Sequence, residues 1–154
     1  MDLSDLIEAS AVMPALKANS KKQLLQLLAE KAASITGLPE REIFDTILQR
    51  ERLGSTGVGN GIAIPHGKLP GISRITGVFA RLDHPVEFEA LDDQPVDLVF
   101  LLLAPESAGA DHLKALSRTA RVLRDSETVA KLRGTTDASA IHALLSESTT
   151  TNAA

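Results

Sequence analysis

Apolar residues recur along the chain at two spacings, and each change of spacing marks a new element. Leu3, Leu6 and Ile7 fall on one side of a short helix predicted over Leu3–Ala9. Ala11–Leu16 reads as a strand, and Pro14 within it predicts an edge position, since proline has no N–H for the ladder. From Ser20 the spacing turns helical, with Leu24, Leu25, Leu28, Ala32 and Ile35 on one face. Ser20 and Gln23 have the spacing of a capping box, and Gly37 and Pro39 end the helix. A second helix follows from about Pro39 to Leu53, with Ile43, Phe44, Ile47 and Leu48 turned inward. Glu40 and Glu42 in its first turn, and Arg50 and Arg52 in its last, match the helix macrodipole; Gly54 closes it.

Beyond a glycine-rich stretch the apolar runs shorten. Arg74–Leu82 and Val86–Phe88 are predicted strands, with His84 a turn residue beside Pro85 and Leu91–Pro95 a turn. Val96–Leu103 is almost continuously aliphatic, broken only by Asp97, and reads as a central strand buried on both faces. After a loop over Ala104–Gly109, a helix from about Ala110 to Arg124 carries Leu113, Leu116, Ala120 and Leu123 as its inner stripe. Ser126 is expected to cap a short helix ending at Gly134. Thr135 or Thr136 is expected to cap a last one through Leu145, in which His142 is a surface or packing residue. Buried strands with helices before and after them imply one three-layer α/β/α domain over residues 1–146. The Ser/Thr-rich residues 147–154 read as a disordered tail.

Composition narrows the function classes. The net charge of −4 comes without any basic block, which argues against nucleic acid as a partner. Cysteine is absent, so disulfide and thiol chemistry are excluded. Trp and Tyr are missing as well, leaving four Phe for any aromatic stacking. No apolar run approaches the length of a membrane span, and the acidic start Met1-Asp2-Leu3-Ser4-Asp5 lacks a signal-peptide pattern. A cytoplasmic protein is expected.

The chemistry concentrates in Gly54-Ser55-Thr56-Gly57-Val58-Gly59-Asn60-Gly61-Ile62-Ala63-Ile64-Pro65-His66-Gly67-Lys68. Ile62–Ile64 suits a buried strand end, and Pro65 should take the chain out of the sheet, leaving His66 on a loop. A neutral imidazole there is a competent nucleophile for a phosphoryl group. Such an attack asks for in-line placement and for cations or N–H donors around the oxygens, rather than for acid–base help. It also asks for one ring nitrogen tied to a backbone carbonyl. Arg50 is a permanent bidentate cation; its simpler role would be to complement the helix dipole. His112 falls at a helix start, where a phosphoryl group would offset the penalty on an imidazolium. Thr56, Gly59, Asn60, Gly61 and Gly67 are the expected phosphoryl cradle, with backbone N–H groups and a hydroxyl as donors.

Nucleotide loops fit poorly. Gly61 to Gly67 has the wrong spacing for a Walker loop, and Leu69 stands where a magnesium hydroxyl is needed. Ile62 stands where a dinucleotide loop needs its third glycine. No histidine pair has metal-ligand spacing.

The run from Gly54 to Gly67 closely resembles the active-site signature of enzyme IIA proteins of the fructose/mannitol class, part of the bacterial phosphoenolpyruvate-dependent phosphotransferase system. Ser-Thr-Gly-Val-Gly-Asn-Gly is most similar to the nitrogen-regulatory branch. The resemblance extends from the Ser20 helix to Leu145. It implies an α/β fold with a mixed central sheet, and a phosphoryl group accepted on His66 from a histidine phosphocarrier protein. It also implies Arg50 beside the phosphohistidine, His112 in Asp111-His112-Leu113-Lys114 as the second histidine of the site, and no cofactor or metal. The sequence carries no permease or fused carrier segment, so a stand-alone regulatory protein acting on protein targets is expected. The alternatives are a sugar-specific enzyme IIA that donates to a membrane permease domain, and a non-catalytic binding module of the same fold. For a carrier to dock, the rim of His66 should be apolar; Val58, Ile62, Leu69 and Ile72 are the candidates.

Overall fold

Val96–Pro105 is the central strand of the molecule, and every residue from Leu98 to Ala104 is fully buried. In the computed structural model, which describes residues 3–147, it is the last strand of a six-stranded mixed sheet. In chain order the strands are β1 (Val12–Leu16), β2 (Gly57–Gly59), β3 (Ile62–Ala63), β4 (His66–Leu69), β5 (Thr76–Val86) and β6 (Val96–Pro105). β5 lies antiparallel on one side of β6, with β1 parallel beyond it at the edge that Pro14 predicts. β3 and β4 lie parallel along the other side of β6, and β2 pairs antiparallel outside β3. The helices are α1 (Lys21–Thr36), α2 (Glu40–Leu53), α3 (Ala110–Val122), α4 (Ser126–Arg133) and α5 (Ala138–Ser146), and they cover both faces of the sheet. α1 and α2 pack on each other and against β5 and β4; α3 packs on β6 and α5 on β1. The three-layer α/β/α reading with a mixed sheet holds.

Local details depart from expectation. Half of the capping box is formed: Ser20 accepts from Gln23 N–H at 3.1 Å, while the Gln23 amide oxygen reaches one residue further back and accepts from Asn19 N–H. Leu3–Ala9 is not a helix but a turn followed by a short 3₁₀ segment, Ala9–Ala11. Its backbone groups serve other elements: Leu3 N–H donates to Leu145 O, and Leu6 O accepts from Gly77 N–H. Leu3, Leu6 and Ile7 are buried all the same. β5 runs unbroken through His84 and Pro85 to Val86, with its register shifted between Arg81 and Val86, and Phe88 lies outside it. The last two helices are capped by aspartates. Asp125 accepts from Thr128 N–H and Asp137 from Ser139 N–H, in place of Ser126, Thr135 and Thr136. α3 is rotated from its expected seating: His112, Ala115, Thr119 and Val122 are buried, while Leu113 is 67% exposed. The expected tail beyond Glu147 lies outside the described residues.

The largest departure concerns the site. Pro65 does not take the chain out of the sheet. Ile62 and Ala63 pair with Leu98 and Val99, and His66–Leu69 pair with Leu102–Pro105, in the same register. Pro65 removes one ladder donor, which separates β3 from β4, yet its carbonyl still accepts from Leu102 N–H at 2.9 Å. His66 therefore begins a strand. The N–H of Ile64 is bonded to Thr56 O. Its carbonyl accepts from the ring of His66.

Candidate functional site

Alternation along β4 aims His66 and Gly67 at opposite faces of the sheet. A Cβ on Gly67 would lie 2.8 Å from Thr46 Cγ2, so it is the missing side chain that lets α2 come this close. Gly67 thus serves helix–strand packing and brings the end of α2, with Arg50, over the strand edge. β6 leads through residues 106–109 into α3, whose first turn carries His112. Arg50 and His112 therefore reach His66 from two different helices.

The ring of His66 is half-buried and held on both nitrogens. Nδ1 lies 2.9 Å from Ile64 O, a contact that requires Nδ1–H and leaves the Nε2 lone pair outward. Arg50 Nε–H points into that lone pair at 3.3 Å, while its Nη1 donates to Gly54 O at 2.9 Å. The His112 ring stands edge-on to His66 with centroids 5.6 Å apart. Burial lowers the His66 pKa from its ordinary value; the Ile64 hydrogen bond opposes this, the Arg50 charge adds to it, and Glu51 opposes it. His112 is lowered too, by burial first and then by the charges of His66 and Lys68. Both shifts favour the neutral imidazole. His112 Nε2 is buried and has no hydrogen-bond partner within the protein.

The expected cradle is brought to this point only in part. Thr56 is 4% exposed, and both its N–H and its hydroxyl donate to the Glu51 carboxylate, so neither is free for a phosphoryl oxygen. Asn60 and Gly61 are the two turn residues between β2 and β3, at φ +57° and +79°, the geometry of a tight hairpin. Asn60 N–H donates to Asp92, and Asn60 O accepts from Arg133, which also grips Asp97 at 2.9 Å. A Cβ on Gly61 would strike Arg133 and Asp97, and one on Gly59 would press on the Asp92 carboxylate. The partners of Ile62 and His66 on β6 are Leu98 and Leu102, so Ile62 lies about 13 Å along the sheet from His66 at ~3.3 Å per residue, and the hairpin tip lies beyond it. Gly59, Asn60 and Gly61 build a turn rather than surround His66. Of the expected rim, Ile62 and Leu69 are core residues, Ile72 is half-buried and Val58 is exposed. The exposed apolar side chains flanking the site are Leu53, one turn beyond Arg50, and Leu113, next to His112.

Sequence reasoning missed Glu51. It is 7% exposed, accepts from Thr56 and is paired with Lys21 at 3.0 Å. Asp97 was visible as the one polar break in an aliphatic run, but its partner Arg133 lies 36 residues away in sequence.

Residues 5–148 match the family described as Phosphoenolpyruvate-dependent sugar phosphotransferase system, EIIA 2. The chain belongs to this enzyme IIA family. Within it, a nitrogen regulatory protein from Bradyrhizobium diazoefficiens is 62% identical over 145 residues, covering 94% of this chain and 95% of that protein. The crystal structure of IIA-Ntr from Neisseria meningitidis superposes with a TM-score of 0.88 at 34% identity, over 94% of this chain and 99% of that one. Mannitol IIA from Escherichia coli, at 23% identity and a TM-score of 0.75 over 90% of this chain and 98% of that one, shares the fold. The enzyme IIA chain is accordingly of the nitrogen-regulatory kind, and none of its described helices is long and apolar enough to cross a membrane.

Proposed function

We propose that this enzyme IIA takes a phosphoryl group onto His66 Nε2 from a histidine phosphocarrier protein and regulates cytoplasmic protein partners through its phosphorylation state. The observation that carries the reading is the tautomer. Ile64 O holds the proton on Nδ1, so the nitrogen facing Arg50 is the nucleophile. In the transfer, a bond forms between Nε2 and phosphorus while the donor's nitrogen–phosphorus bond breaks and its electron pair returns to the donor ring. The His66 proton stays on Nδ1 throughout. Arg50 moves its Nε–H from the ring nitrogen to a phosphoryl oxygen, a charge-assisted exchange. His112, whose Nε2 lacks a partner, takes another oxygen.

The product adds a charge of about −1.5 to −2 beside Leu53 and Leu113, enough to change what docks there. Those two side chains are the surface proposed for the carrier. The nitrogen-regulatory relatives favour regulation over sugar transport as the output.

The test is intact-mass analysis after incubation with phosphoenolpyruvate and the general phosphotransferase proteins. One acid-labile phosphoryl group is expected, absent in His66→Ala. Undiminished labelling of that variant rejects the reading. Failure of the labelled protein to pass its group to a sugar permease domain separates the regulatory from the transport output.

A further inference from the structure

The buried carboxylate of Glu51 is left unused by this chemistry, although it adjoins Arg50 in the chain. We propose that Glu51 is a positioning residue for phosphoryl transfer: anchored by Lys21, it clamps Thr56 and thereby fixes the turn whose Gly54 carbonyl aims the Arg50 guanidinium at His66. The proposal rests on His66 being the phosphoryl acceptor.

The argument is geometric. Arg50 makes two hydrogen bonds, Nη1–H to Gly54 O and Nε–H to His66 Nε2. The first determines where the second points, so the Gly54 carbonyl has to be held. Gly54 has no side chain, and a Cβ built on it would meet nothing within 4 Å, so packing does not hold it. The turn is held at its two ends, and between them Ser55 Oγ–H donates to Phe88 O at 3.0 Å. On one side Glu51 O accepts from Gly54 N–H at 3.1 Å. On the other the Glu51 side chain takes both donors of Thr56, one on each carboxylate oxygen. A five-residue span is thereby closed by one side chain.

Thr56 in turn extends the brace to the acceptor strand. Its carbonyl accepts from Ile64 N–H at 3.0 Å, and Ile64 O receives the Nδ1–H of His66. Glu51 therefore stands at the junction of two routes to the same ring, through Gly54 and Arg50 to Nε2, and through Thr56 and Ile64 to Nδ1. A buried carboxylate of this kind needs a counter-charge. Lys21 supplies it at 3.0 Å, with its ammonium also 4.5 Å from the centre of the Phe88 ring and 3.5 Å from Glu89. Lys21 is the first residue of α1, so the clamp also joins α1 to the end of α2.

The experiment compares the full chain with Glu51→Gln and Thr56→Val, which keep side-chain size and remove the charge and the hydroxyl respectively. Single-turnover acceptance from phosphorylated histidine phosphocarrier protein gives the limiting rate and the half-saturating donor concentration. Side-chain ¹⁵N NMR of unphosphorylated His66 gives its titration midpoint and tautomer. Expected for Glu51→Gln are a limiting rate lower by about 10–100-fold, a donor concentration within about twofold of the parent, and a His66 midpoint moved to lower pH. Thr56→Val lowers the rate in the same sense, and the two changes together fall short of the product of the single effects. Parent-like rate and midpoint in folded Glu51→Gln overturn the proposal, as does a loss of thermal stability alone. If Glu51→Gln does not fold, a parent-like rate for Thr56→Val overturns it equally. The NMR arm needs no phosphoryl donor, so continued labelling of His66→Ala would reject phosphotransfer at His66 without altering how the clamp is scored.

Discussion

Arg50 Nε–H donates to His66 Nε2 at 3.3 Å, so the cation of the site rests on the lone pair proposed to attack phosphorus. After burial, its charge also lowers the His66 pKa, and under the proposed transfer the same group would have a phosphoryl oxygen within reach. Arg50→Ala is expected to lower the rate of phosphoryl acceptance by about 10²–10³-fold, the usual effect of losing one preorganised donor. Arg50→Lys keeps the charge but cannot bond Gly54 O and His66 together, and should recover only part of that loss. Both variants should fold, since Arg50 is half-exposed and near a helix end. Stopped reactions resolved by mass, with circular dichroism as the fold control, check this; a parent-like rate for Arg50→Ala would remove it from the site.

The pH dependence follows from the same pair. An unperturbed imidazole titrates near ~6.5. Burial and Arg50 lower the His66 value, so the neutral nucleophile persists to more acidic pH than a free histidine allows. Acceptance should hold its plateau to lower pH than the ~6.5 of a free imidazole would allow. In Arg50→Ala one lowering influence is gone, and the acid limb should move to higher pH. Stability carries the opposite face of this effect. The unfolded chain binds more protons at His66 and His112 than the folded one, so stability falls as pH drops below ~6.5 and continues to fall until the folded values are reached. Thermal melts between pH 8 and 5 check the sign, and His112→Gln should flatten the slope.

Gly67→Ala tests how α2 is seated. The new methyl would meet Thr46 Cγ2 at 2.8 Å, so α2 must retreat or Thr46 must change rotamer. A cost of about 1–3 kcal/mol is expected, seen as a Tm lower by about 2–4 °C per kcal/mol. Acceptance should slow as well, because retreat of α2 lengthens the Arg50–His66 contact. Thr46→Ser removes the methyl that is struck, and should restore both in the double variant. Slow transfer with no recovery in that double variant would show that Gly67 acts otherwise.

The main elements and the candidate histidine could be read from the chain because their signals are local. A capping box, a Gly after α2 and an aliphatic run for β6 each act within a few residues. The errors arose where long-range pairing decides. Pro65 looked like an exit from the sheet, yet β6 continues to pair beyond it, and one lost donor interrupts a strand without diverting it. The leucines of α3 fitted an inner stripe, but the helix turned to bury His112 and Thr119, leaving Leu113 outside. Glu51 was unreadable because its partners Lys21 and Thr56 come from α1 and from the turn after α2. Glycines have several uses, and only neighbours tell them apart: Gly67 admits α2, whereas Gly61 makes room for Arg133 and Asp97.

That last distinction yields a prediction about Arg133. Its guanidinium bonds both oxygens of Asp97 and the carbonyl of Asn60, locking the β2–β3 turn onto the start of β6. If Gly59, Asn60 and Gly61 cradled the phosphoryl group, loosening this turn would slow transfer. If they only build a hairpin whose tip lies beyond Ile62, itself about 13 Å from His66 at ~3.3 Å per residue, it would not. Arg133→Met keeps the aliphatic stem and removes the charge, leaving Asp97 and Asn60 O to water. Because Arg133 is partly exposed, the cost should be modest, about 1–2 kcal/mol by urea melting. The acceptance rate per folded molecule should stay within about twofold of the parent, as for sites too far apart to couple. A loss of tenfold or more in folded Arg133→Met would return the turn to the phosphoryl site. It would mean that the hairpin tip closes over His66 when the carrier docks.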